Sequence, residues 1–237
     1  MTLSDVFDRL EHPRRTITVY ASTPQPDVTA QFEPRGVTVR HCSLPEETTQ
    51  GFLVIRDADG FAGAIGLEEA RDFLEPPVYR PWDEAFVDAQ YRTLLEVLDA
   101  TLWHSLDRRQ LLATTREIED RAWRVGRGTL RVGFQRLSAM RAQLPVYARM
   151  ADETALGIHV YGSDDWNPPT LPGVTIHTDP SDELAQFWFL AFDGGPDDRQ
   201  ACGLLAEERD SGSFAGFWTY DADLVDEIAT RARETAD

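Results

Sequence analysis

Apolar and polar positions change rhythm along the chain in a way that separates three sections. Near the start, Ser4 to Leu10 reads as a short capped helix. Four strand-like runs follow: "TITVYA" (16 to 21), "VTVRH" (37 to 41), "FLVIRD" (52 to 57) and "FAGAIG" (61 to 66). A helical piece, "LEEARDFL", and the Pro-rich "EPPVYRP" close this section, which predicts an α/β half over 14–75. From Asp83, a good N-cap, the residues Val87, Tyr91, Leu94, Leu95, Leu98 and Leu102 recur at three- and four-residue spacing and predict a helix. A second helix is expected from Ser105 to Val125 and a third from about Thr129 into the 140s, kinked or ended by Pro145. These make a helical section over 83–151.

Beyond it the first rhythm returns. "GIHVYG" (157 to 162) matches "TITVYA", and "GVTIHTDP" (173 to 180) matches "GVTVRHCS". "FWFLAFDGG" (187 to 195) matches "GFLVIRDADG", and "CGLLAEER" (202 to 209) matches "AIGLEEAR". Four matches in one order predict a duplication, with a second α/β half over 156–220 and an aromatic strand, "SFAGFWTY". A terminal helix over 222–235, begun by Asp221 or Asp223, carries Leu224, Val225 and Ile228 on one face. The expected fold is α/β: two duplicated small halves around a central helical section, in a single compact domain over 1–237.

Charge sharpens this picture. The 237 residues carry a formal charge of −18, from 41 Asp plus Glu against 23 basic residues, and every basic residue is arginine. Dense surface carboxylates keep a protein soluble where salt screens their repulsion, so the balance resembles a salt-adapted, haloarchaeal cytosolic protein. It weighs against nucleic-acid binding, because phosphate contacts weaken steeply as salt rises. No apolar run reaches membrane-spanning length, and the acidic start lacks a secretion segment, so the expected location is cytoplasmic. Cys42 and Cys202 lie in no metal-binding spacing and read as buried free thiols.

The arginines are unevenly placed. Residues 104 to 150 hold ten arginines against four acids, +6, while the rest of the chain is −24. Within "EIEDRAWRVGRGTLRVGFQR" (117 to 136), Glu117 with Arg121 and Asp120 with Arg124 are i,i+4 pairs. Gly126, Gly128 and Gly133 have the wrong spacing for a dinucleotide loop and suit a break between two helices. The surplus arginines call for acceptors: the acids of the two halves (Glu68, Glu69, Glu207, Glu208), a second subunit, or an anionic ligand held by Arg forks. Arg116 and Glu119 are expected to face inward as a clamp, with Glu207 or Glu208 as the acceptor of Arg116. Phe214, Phe217, Trp218 and Tyr220 could line a flat organic ligand, or form one face of a core strand. No nucleophile elbow, zinc-protease or phosphate-loop motif is present, and the five histidines are scattered.

Two stretches carry a family likeness. "TTREIEDRAWRVGRGTLRVGFQRLSAM" and "CGLLAEERDSGSFAGFWTYDADLVDEI" resemble the DICT sensory domain family in its haloarchaeal stand-alone form. Thr115, Arg116, Ile118, Glu119 and Ala122 stand at the family's S/T-R-x-I-E-x-x-A core, and Ala206, Glu207, Glu208 and Arg209 at its acidic segment. The resemblance implies sensing without naming a ligand, a cofactor or a catalytic residue.

The functional expectation is a non-catalytic cytoplasmic sensory or regulatory module that passes an input to a signalling partner protein. The alternative is an assembly protein, a homodimer formed through the Arg-rich helices. Candidate ligand or regulatory residues are Arg116, Glu119, Arg121, Arg124, Glu207, Glu208, Arg209, Trp218 and Tyr220. The ligand chemistry they suit is a small anionic or aromatic molecule.

Overall fold

Two mixed sheets organise the chain, one four-stranded and one seven-stranded among the described residues. The computed structural model describes residues 3–9, 16–32, 37–45, 50–57, 60–74, 80–82, 95, 99, 103–179, 184–210 and 212–236. In chain order the first sheet and its helices are α1 (Leu3–Arg9), β1 (Thr16–Ala21), α2 (Pro26–Phe32), β2 (Thr38–Ser43), β3 (Phe52–Asp57), β4 (Gly60–Gly66) and α3 (Leu67–Leu74). Then come β5 (Trp103–Asp107), α4 (Arg108–Val125), β6 (Arg127–Arg136), a 3-10 helix (Leu137–Gln143) and α5 (Leu144–Glu153). The chain continues through β7 (Ala155–Ser163), β8 (Val174–Asp179), β9 (Phe187–Phe192), β10 (Cys202–Asp210), β11 (Ser213–Thr219) and α6 (Ala222–Ala236). One hydrophobic cluster runs from Ile17, Val19 and Leu53 of the first sheet to Leu111, Ile118 and Leu204 of the second, so the α/β fold is a single compact domain.

The middle of the chain differs from its expected form. Residues 127–136 are a strand, not the third helix expected from about Thr129. Leu130, Val132 and Phe134 are buried while Thr129, Arg131 and Gln135 between them are half-buried, so the period is two. Gly126 does close a helix, in the left-handed conformation at φ 68°, with its N–H donating to the Ala122 carbonyl. It turns the chain into β6 rather than into another helix. Pro145 opens α5 instead of ending a helix, in the first turn where its missing N–H has no intrahelical role.

The second expected helix exists but starts at Arg108, because Asp107 caps it and Ser105 belongs to β5. The Asp107 carboxylate accepts from the Gln110 N–H at 2.8 Å, and the Gln110 side chain accepts from the Asp107 N–H at 3.1 Å. The helix expected from Asp83 lies outside the described residues, apart from the helical, buried Leu95. The terminal helix follows its pattern: the Asp221 carboxylate accepts from the N–H groups of Asp223 and Leu224, and Val225, Ile228 and Ala232 are buried.

The large sheet has the order β5-β11-β10-β9-β6-β7-β8. β6, β7 and β8 are mutually parallel, and the α5 crossover links β6 to β7; the pairs on the other side of β6 are antiparallel. Strand alternation divides its residues between two layers. Cys202, Leu204 and Ala206 of β10 belong to the cluster with Leu111, Ile118 and Ala122 of α4. Leu205 of β10 belongs with Phe187, Phe189 and Phe217 to the cluster of α6 and α1.

The matched segments do not occupy equivalent places. β1 pairs directly with β3, whereas β6 separates their sequence matches β7 and β9. "AIGLEEAR" runs from β4 into α3, whereas "CGLLAEER" lies in one strand. The duplication read from those matches therefore fails on strand order. A topological likeness exists in another register: β2-β1-β3-β4 and β7-β6-β9-β10 share one order and one set of strand directions, each with a helix between its parallel pair.

Candidate functional site

Helix α4 is polar in sequence, yet twelve of its 18 residues are buried. At its middle, Arg116 and Glu119 share one face at i,i+3 spacing, 5% and 0% exposed. Arg116 donates one Nη to Glu119 Oε2 and the other to Gln143 Oε1. Tyr147 OH donates to Glu119 Oε1 at 2.6 Å. Gln143 ends the 3-10 helix and Tyr147 lies one turn into α5, so these two side chains bring the α5 layer onto α4. Burial raises the Glu119 carboxyl above its ordinary range, against the pull of Arg116 and of the Tyr147 hydroxyl. The Tyr147 phenol is pushed well above its own range, first by burial and then by the Glu119 charge.

A cavity of about 240 Å³ opens beside this cluster. Its walls are mainly apolar, with Phe134, Tyr147 and Trp188 as aromatic sides and Thr115, Glu119 and Gln143 as polar points. Thr115 is 4% exposed, and its hydroxyl has no hydrogen-bond partner. Such a buried hydroxyl costs about 1–3 kcal/mol of free energy. Exposed Ala139 and Ala142 of the 3-10 helix stand at the mouth, as does Arg108, whose guanidinium lies 6.0 Å from the Trp188 ring centre.

A larger groove, about 550 Å³, runs between α6 and the β6–β9 pair. It is open and acidic, and its central carboxylate, Asp193, is engaged by the N–H groups of Thr129 and Gly195, each at 2.9 Å. That is turn chemistry rather than an unmet demand, so the smaller cavity is the stronger candidate.

The sequence-predicted residues do not converge on one place. Arg116 and Glu119 face inward as expected, and Glu119 lines the cavity. The expected acceptors of Arg116 are wrong: Glu207 pairs with Arg209 at 2.6 Å, and Glu208 accepts from the Gln135 amide and the Gly212 N–H. Arg116 finds its carboxylate on its own helix because three residues bring Glu119 alongside it. Arg121 is buried rather than turned outward, with its guanidinium 4.6 Å from the Tyr220 ring centre. Arg124 pairs with Asp120 at 2.8 Å, as expected, and reaches Glu117 at 4.0 Å. Trp218 is a core residue whose indole N–H donates to the Leu95 carbonyl at 2.7 Å.

Four of the arginines of residues 104 to 150 lie against aromatic rings. Arg108 faces Trp188, Arg121 faces Tyr220, Arg141 faces Trp166 and Arg149 faces Trp82, each within 6.0 Å of the ring centre. A planar guanidinium stacks on aromatic faces, which suits a lysine-free chain with six tryptophans.

Sequence reasoning missed Gln135, Gln143, Tyr147 and Trp188 as site residues. The signal for Gln143 and Tyr147 was their i,i+4 spacing around Pro145. Reading 129 onward as one helix, kinked or ended at Pro145, hid it.

Fold and site together define a compact α/β module with a closed polar pair and an adjoining cavity. The chain belongs to the DICT family, described as a sensory domain in diguanylate cyclases and two-component system, which matches residues 89–209. That span contains α4, the 3-10 helix and every cavity residue named above. No curated protein matches the chain. Among solved structures it is similar to polyphosphate kinase from Porphyromonas gingivalis at 10% identity and TM-score 0.39, over 96% of this chain and 47% of that one. The chain thus spans about half of that protein's length, and so slight a likeness carries no argument. No helix among the described residues is long and apolar enough to cross a membrane.

Proposed function

We propose that this protein is a non-catalytic sensory module whose input is a small molecule held in the cavity between α4, β6 and the 3-10 helix, and whose output goes to a partner protein. The observation that carries the reading is the cavity beside the buried Arg116–Glu119 pair, within the span that the sensory family matches. The Arg116–Gln143 contact is the coupling element: a ligand beside it shifts the balance between packed and released 3-10 helix, and so the surface a partner reads. The acidic, lysine-free composition supports a cytoplasmic setting in a salt-adapted cell. A melting temperature that does not rise between about 0.1 and 2 M KCl counts against that setting.

Native mass spectrometry of the protein purified in molar KCl tests the sensory reading. The expected spectrum shows a bound small molecule that is absent from Ala142→Phe, a substitution at an exposed position that closes the mouth. A bound molecule retained equally by that variant places the ligand elsewhere and overturns this reading.

A further inference from the structure

The two sheets present four faces, and among the described residues helices cover three of them. On the large sheet, α4 packs on one face and α6 with α1 on the other. On the small sheet, Val28 and Phe32 of α2 and Leu67 and Ala70 of α3 join Ile17 and Leu53 on one face. Strand alternation turns Thr16, Thr18 and Tyr20 of β1, with the residues in register with them, to the opposite face. We propose that this outward face docks an acidic, amphipathic helix of a partner protein. No residue of the cavity beside α4 belongs to it, so the proposal stands apart from the sensory reading.

The face is apolar where a partner would need it to be. Phe61 and Phe52 are 69% and 38% exposed, and they are the exposed large hydrophobic side chains among the described residues. Both lie here. Phe52 is in register with Tyr20 and its ring stacks on that of Tyr20 at 4.8 Å, while Phe61 is in register with the outward Arg56. Exposed apolar surface gathered on one face marks a contact site. A sheet face is commonly buried by the apolar stripe of a helix, and this protein covers its other three faces that way.

Charge selects the kind of helix. Acids outnumber arginines 41 to 23 in the chain, yet none of the outward residues in this register is Asp or Glu. The face does carry Arg40 on β2 and Arg56 on β3. Both are exposed, and among the described residues neither makes an ion pair, a hydrogen bond or a ring contact. Two guanidiniums without carboxylates, in a chain of charge −18, call for acids from another molecule. A second copy stacked face to face would set these arginines against each other. A single-stranded nucleic acid would bring phosphates and stacking bases. Two arginines do not offset a charge of −18, however, and phosphate contacts weaken at the salt this composition suits.

Cys42 supplies a handle for the test. It is in register with Tyr20 on this face and is exposed, rather than buried as expected from the sequence. Cys202 is buried, and burial pushes its thiol up to about 12, so a maleimide reaches Cys42 alone. A benzophenone maleimide on Cys42 of the full chain is irradiated in molar KCl in a lysate of cells that make the protein, and the cross-linked segment is sequenced. The expected segment belongs to another protein and carries apolar residues at helical spacing flanked by Asp or Glu. As a synthetic peptide it should bind the unlabelled protein in calorimetry. Phe61→Ser should weaken that binding by about tenfold without moving the melting temperature, and Arg40→Glu with Arg56→Glu should weaken it by about as much. The proposal is overturned if nothing cross-links, if the cross-link goes to a second copy or to nucleic acid, or if the segment lacks acids. A peptide that does not bind, or that binds either variant as well as the natural protein, overturns it too.

Discussion

Under α6 and α1, the seven-stranded sheet presents Phe187, Phe189, Leu205 and Phe217, and the helices answer with Leu3, Val6, Val225 and Ile228. Under α4, the same sheet presents Leu190, Leu204 and Phe214, but the helix brings Arg116, Glu119 and Thr115 down with Leu111 and Ile118. The α6 face shows what this sheet needs in order to fold: apolar side chains, each worth about 1.5–3 kcal/mol when fully buried. The α4 face contains groups that folding alone does not ask for. A buried ion pair is seldom a better stabiliser than apolar residues of the same volume, and an unpaired buried hydroxyl is worse. Their burial on the α4 face supports the site proposed there.

The largest expected effect breaks the polar pair. Glu119→Ala leaves the Arg116 guanidinium buried without its carboxylate, and should cost about 3–5 kcal/mol in denaturant unfolding. The double substitution Arg116→Met with Glu119→Leu removes both charges, and should return stability to within about 1 kcal/mol of the natural protein or above it. A double variant as unstable as the single would mean the pair is there for stability, and the contrast between the faces would lose its meaning.

A smaller change sharpens the contrast from the other side. Ile228→Val deletes one methylene from the α6 face and should cost about 0.5–1.5 kcal/mol. Because α6 lies across the sheet from the cavity, affinity for any molecule that co-purifies in the cavity should stay the same. Loss of affinity in this variant would show that the two faces are coupled through the sheet.

How much of this was legible follows the same division. The α6 face was readable because its signals are local: Asp221 before a helix, and Leu224, Val225 and Ile228 expected on one face, of which Val225 and Ile228 are buried. β7 and β9 were equally plain as short apolar runs. The α4 face was half-read. Arg116 and Glu119 were correctly turned inward by spacing alone, but their partners Gln143 and Tyr147 arrive from an element whose period was misjudged. "TLRVGFQ" alternates with period two, yet it was read as the start of a third helix that continues the helical section. The register of the likeness between the two sheets was hidden for the same reason: without β6 as a strand, β7 was the only available counterpart of β1. Arginine-to-aromatic stacking was not legible at all, because the rings come from Trp82, Trp166, Trp188 and Tyr220, scattered over the whole chain.

The smallest expected effect lies at a place where the α6 side of the sheet is not apolar. His159 on β7 and His177 on β8 approach at 3.0 Å between Nδ1 and Nε2, and the Tyr161 ring stacks on His177 at 4.5 Å. Arg131 of β6 donates to the Tyr161 hydroxyl at 2.8 Å, which sets a fixed positive charge near the pair. Burial first, then Arg131 and His177, lowers the His159 pKa below its ordinary value of 6.5. The folded state therefore binds this proton less readily than the unfolded chain. Its contribution to stability is complete above pH 6.5 and is lost as the pH falls through the lowered value. Protonating both rings would also replace an N–H···N bond with two facing donors. A background runs the other way, since acidification relieves repulsion in a chain of charge −18. The readout is therefore a difference: denaturant midpoints at pH 7.5 and 5.5, for the natural protein and for His159→Asn. The natural protein should lose more stability on acidification, or gain less, than the variant. Equal pH responses would mean that the pair keeps its neutral geometry across the window, and that the α6 side, like its apolar core, is indifferent to protons.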